Sequence, residues 1–96
     1  MFDKMKQLME MKKQTDLIKR ELEANNIESE DVRGIKIVMN GAQNIKSVEI
    51  EASLLGAENK KKLESDLLRS FNSAVRKSQN LAAEKMKSLM PGFPGL

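Results

Sequence analysis

The chain has 96 residues, 32% charged and 40% hydrophobic, the balance of one soluble folding unit rather than of a disordered or membrane-spanning one. His, Cys, Trp and Tyr are all absent, which removes the imidazole, thiolate and phenol groups on which most nucleophilic, acid–base and zinc chemistry depends. A chain this short buries only about 60 to 65% of its unfolded surface, so a monomer would be marginal and an oligomer is expected.

From Phe2 to about Ala24 there is no Gly or Pro, and Met, Leu, Lys, Gln and Glu dominate, which predicts a helix. Leu8, Met11, Thr15, Ile18 and Leu22 recur at spacings of three and four, a narrow seam suited to one partner helix. Met1, Met5, Met9 and Met11 read as a pliable packing surface. Asn25-Asn26 ends the helix, because both favour caps and turns.

The period then changes. Ile35, Ile37 and Met39 alternate with Lys36 and Val38, and Val48 and Ile50 alternate with Ser47, Glu49 and Glu51, which is strand spacing. Asn40-Gly41 between them signals a hairpin. A further strand over Ile27 to Val32 has little support, because Glu28, Glu30 and Asp31 leave it little to bury. Glu49 and Glu51 share a strand face, but without a phosphate loop or further acids they read as solvated rather than as paired catalytic or metal-binding carboxylates.

A longer helix is predicted from about Ala57 to Leu89, with Leu63, Leu67, Phe71, Ala74, Leu81 and Leu89 on a broad apolar arc that two surfaces would bury. Pro91 stops it at Met90, and Pro91 to Leu96 is too rich in Pro and Gly for regular structure. The expected organisation is one α+β domain over residues 1–90 with a flexible tail at 91–96. Leu8, Ile18, Leu67 and Phe71 should hold core or dimer contacts.

No stretch of 18 apolar residues occurs, and the opening MFDKMKQLMEMKK lacks the apolar segment of a signal peptide, so a cytoplasmic location is expected. The absence of cysteine suits a reducing compartment. No cofactor or metal is expected.

The net charge is +3, but it is unevenly spread: six bases against five acids in residues 1–24, three against five in 25–56, and eight against four in 57–96. On a helical projection Lys62, Arg69, Arg76 and Lys87 share one face opposite the Leu67/Phe71 arc, and span about 38 Å at 1.5 Å per residue. Lys6, Lys13 and Arg20 recur every seven residues opposite the Leu8/Leu22 seam. A charge stripe is most often only a solvated face. Between Arg69 and Lys87, however, Glu84 is the sole acid, whereas a surface built for solubility usually mixes its signs. Lys60, Lys61 and Lys62 open the second helix against its macrodipole, a cost that solvent screening or a bound anion would offset. These residue types suit phosphate contact better than base readout, and neither a recognition-helix motif nor an aromatic stacking platform is present.

The run Ile37-Val38-Met39-Asn40-Gly41-Ala42-Gln43-Asn44, then Val48-Glu49-Ile50-Glu51-Ala52-Ser53-Leu54-Leu55, then Leu63-Glu64, Leu67-Leu68 and Phe71-Asn72-Ser73-Ala74, resembles the YbaB/EbfC family of bacterial nucleoid-associated proteins. The likeness extends to the opening helix and the closing Pro-Gly tail. It implies a cytoplasmic, nucleoid-located homodimer with strands and helices at its centre and long helices projecting as tweezer arms that grip duplex DNA. The family commonly has a Gly-rich stretch before the central strand, where Ser29 to Gly34 here keeps one glycine and adds acids.

The resulting expectation is a non-enzymatic protein that binds double-stranded DNA through backbone phosphates with little sequence preference, affecting nucleoid organisation or gene expression. Lys13, Arg20, Arg69, Arg76, Lys77 and Lys87 are the expected contacts. The alternatives are a prefoldin-like chaperone with a coiled-coil arm, for which the second helix's arc is broader than needed, and adsorption to anionic membrane through the basic helices and Phe93/Leu96.

Overall fold

A computed structural model describes residues 2–89, apart from the side chain of Phe2. The Pro/Gly tail at 91–96 and the helix stop at Met90 lie outside the described residues. Helix α1 spans Phe2–Ala24, strands β1, β2 and β3 span Asn26–Ser29, Ile35–Asn40 and Ile45–Ile50, and helix α2 spans Lys60–Leu89. The α+β order of helix, hairpin and long helix is as the periodicity predicts. The last helix starts three residues later than expected, because Ala57–Asn59 forms a separate 3-10 turn.

The poorly supported strand exists. β1 pairs antiparallel with β2, placing Ile27 opposite Met39 and Ser29 opposite Ile37. Its inward positions are half-buried Ile27 and fully buried Ser29, so it supplies one apolar side chain and one hydroxyl to the core. The Ser29 hydroxyl donates to Ser73 on α2 at 3.3 Å, a polar attachment that apolar alternation does not reveal.

The sheet order is β1-β2-β3, and α2 lies across β1 and β2. Ile35, Ile37, Met39 and Ala74 form the buried core, with Leu63, Leu67, Phe71 and Val75 packed against it. β3 extends beyond that cover. Ile45, Val48 and Ile50 are partnered with Met39, Ile37 and Ile35, and therefore share the helix-side face of the sheet, yet Ile45 is 51% and Val48 41% exposed. The register shift at Val38/Met39 leaves Lys46 as the extra residue of a bulge and returns Ile45 to the apolar face.

The hairpin falls at Asn40-Gly41, but not as a two-residue left-handed turn. Gln43, at φ 64°, takes the left-handed position. Gly41 is needed for closeness instead: a Cβ there would lie 2.9 Å from Leu22 Cδ2 and 3.2 Å from the Leu22 carbonyl oxygen. The Gly41 N–H donates to the carbonyls of Leu22 at 2.9 Å and Asn25 at 3.0 Å, joining the hairpin to the end of α1.

α2 packs on the sheet through its buried residues from Ser70 to Ser78, and its later part runs beside the end of α1. Ser78 Oγ donates to the Asn40 carbonyl at 2.7 Å, and Lys85 reaches Glu21 at 3.7 Å, so the two helices are antiparallel there. Ile18 is buried, whereas every described side chain from Asp3 to Leu17 is exposed. The N-terminal part of α1 is therefore a projecting arm in a molecule measuring 66 × 20 × 17 Å.

Candidate nucleic-acid interface

The solvent side of α2 is set by what its other side buries. Ser70, Ser73, Ala74 and Ser78 face the sheet, which turns Lys62, Arg69, Arg76 and Lys87 outward, all four exposed. On α1, burial of Ile18 turns Lys13 and Arg20 to solvent. Lys77, one turn after Ser73 and Ala74, is only half-exposed.

The six expected contact residues fall into two groups. Arg69, Arg76 and Lys77 lie on the part of α2 that packs on the sheet, with Arg69 and Arg76 about 10.5 Å apart along the axis at 1.5 Å per residue. Arg20 and Lys87 lie on the antiparallel helix pair, and Lys13 on the projecting arm beyond it.

Two carboxylates interrupt the positive surface. Asp66 Oδ1 accepts from Arg69 Nη2 at 2.9 Å and its Oδ2 accepts from Lys62 Nζ at 3.2 Å. The Arg69 guanidinium, followed by the Lys62 ammonium, holds the Asp66 carboxyl below the usual carboxylate range against an opposing contribution from burial. Asp31, in the β1-β2 loop, accepts from the Ser73 hydroxyl and from Lys77 Nζ at 3.0 Å. Its carboxyl is also lowered, first by Ser73 and then by Lys77.

Among the described residues no carboxylate lies within 4.0 Å of Lys13, Arg20, Arg76 or Lys87. The Lys60 to Lys62 cluster is partly answered from within the helix, where Glu64 takes Lys60 at 3.1 Å. Asp66 was legible as the residue four after Lys62 and three before Arg69. Asp31 was not, since 46 positions separate it from Lys77. No helix among the described residues is long and apolar enough to cross a membrane.

The YbaB/EbfC DNA-binding family model matches residues 1–93. The chain is 40% identical over 94 residues to a nucleoid-associated protein of Hahella chejuensis, covering 97% of this chain and 86% of that protein. It is 33% identical over 94 residues to a nucleoid-associated protein of Dictyoglomus thermophilum, covering 97% and 90%. The exposed basic faces, the three-stranded sheet and this match along nearly the full length lead to one conclusion: the chain belongs to the YbaB/EbfC DNA-binding family.

Proposed function

We propose that this is a nucleoid-associated protein whose homodimer binds duplex DNA through backbone phosphates with little sequence preference. In this reading residues 1–90 act as one domain, 91–96 as a separate tail, and the protein works in the nucleoid, affecting its organisation or gene expression. The observation that carries it is the pair of exposed basic stripes on α1 and α2, with Arg20, Arg76 and Lys87 held by no carboxylate within 4.0 Å among the described residues. Lys13, Arg20, Arg69, Arg76, Lys77 and Lys87 are the proposed backbone contacts. Their long flexible cations suit phosphates, and among the described residues no element has the form of a recognised base-reading motif.

Dimerisation has its own support. The uncovered Ile45/Val48 face of β3, an edge strand, offers an apolar surface to a second copy, and two chains would present the stripes twice. The test is a salt-titrated gel shift of wild type against Arg69→Glu/Arg76→Glu. Wild type should bind, with log K falling about 0.9 for each log unit of salt per phosphate neutralised, and the variant should lose at least about tenfold at 100 mM salt. Salt-independent binding, or none at about 50 mM salt, would overturn the reading. An unimpaired variant would reduce the α2 stripe to a solvated face.

A further inference from the structure

We propose that Asp66, and to a lesser degree Asp31, limits DNA affinity from the edge of the basic stripe by holding cations that would otherwise reach phosphate. The inference rests on the DNA-binding reading above and identifies residues that act against binding.

Asp66 is placed for this. Its side chain is only 10% exposed while those of Lys62 and Arg69 remain 73% and 68% exposed, so the carboxylate lies beneath two cations that face solvent. The trio presents one net positive charge where the stripe alone would present two. Both bonds point the cationic heads down toward the helix, and a phosphate must compete with a carboxylate already in hydrogen-bond contact.

The backbone of the same residue is fixed as well, because its carbonyl accepts from Ser70 Oγ at 2.8 Å. The carboxylate itself is held by its burial and by the two cations, each bonded to one of its oxygens. Asp31 repeats the arrangement at Lys77, but its side chain is 55% and that of Lys77 39% exposed, so solvent screens the pair and the effect is smaller.

The consequence is a graded stripe. Its first half, at Lys62 and Arg69, is partly neutralised, while Arg76 and Lys87 have no acid partner within 4.0 Å among the described residues. Binding is then led by Arg76 and Lys87, and Lys62 and Arg69 contribute weakly until Asp66 is removed.

The experiment compares wild type, Asp66→Asn, Asp31→Asn and Glu49→Gln in a salt-titrated gel shift with one duplex. Glu49, exposed and opposite Lys36 on the face of the sheet away from α2, controls for the same change in net charge at a distant site. Asp66→Asn should bind about three- to tenfold tighter at 100 mM salt, with a log-log salt slope steeper by about 0.9 for each freed cation that reaches a phosphate. Asp31→Asn should move the same way by less, and Glu49→Gln by under about twofold, since its charge lies exposed on the face of the sheet away from α2, where salt screens it. Loss of structure weakens binding, so tighter binding is not a by-product of destabilisation. If Asp66→Asn proves unfolded by circular dichroism, Asp31→Asn decides. A wild type that binds, with neither folded Asp variant tighter than Glu49→Gln, overturns this inference alone. A wild type that does not bind overturns the DNA reading itself.

Discussion

Asn40 ties three elements together through hydrogen bonds. Its side chain is fully buried, its Oδ1 accepts the N–H groups of Ala42 at 3.0 Å and Asn44 at 2.9 Å, and its Nδ2 donates to the Glu23 carbonyl at 3.3 Å. Its own carbonyl accepts the Ser78 hydroxyl. One residue thus fastens the hairpin, the end of α1 and the middle of α2. Asn40→Ala should destabilise the protein by about 2 to 4 kcal/mol, because two N–H groups and a carbonyl lose partners together. Urea unfolding checks this against Asn44→Ala, which removes only an exposed side chain and should be within about 0.5 kcal/mol of wild type. The Asn-Gly pair was legible as a turn because short-range chemistry selects it. The tertiary uses of both residues were not, since the Glu23, Leu22 and Ser78 groups they meet are brought there by the fold.

At the scale of elements, the helices and the β2-β3 pair are legible because each repeats an apolar period long enough to read, from Leu8 to Leu22, Ile35 to Met39 and Leu63 to Leu89. β1 is obscured because four residues with two inward positions show almost no period, and one of those positions is a serine. β3 is obscured at Ile45 because the bulge breaks the alternation there. The seam on α1 is only half used within one chain: Ile18 is buried while Leu8 is 66% and Met11 47% exposed. An unsupported helix of about 12 to 15 residues is marginal in water. Backbone amides from Gln7 to Asp16 should therefore exchange with deuterium roughly tenfold faster than those from Lys19 to Ala24. Hydrogen-exchange mass spectrometry measures the ratio, and equal protection would mean that the arm is covered along its whole length.

For the molecule as a whole, the shortness of the chain and the shape of the fold make the same demand. The core of Ile35, Ile37, Met39 and Ala74 is small, while Ile45, Val48, Leu55 and Leu68 are each more than 40% exposed. An isologous contact between two β3 faces would bury the same patch on both chains and add to each core without a new element. The DNA reading leans on this, because Arg69 and Lys77 among the six proposed contacts are already held by acids and each phosphate contact is weak alone. Two linked stripes bind far more tightly than one through effective concentration. Val48→Glu places a charge on the proposed contact at a side chain already 41% exposed within one chain, so its circular dichroism should match wild type while sedimentation changes from dimer to monomer. DNA affinity should then fall by at least about a hundredfold, the lower range of an avidity gain. A wild type that sediments at 10.8 kDa would remove the dimer. A monomeric Val48→Glu with unchanged DNA affinity would show that each stripe suffices, and the basic arms would then work singly rather than as a clamp.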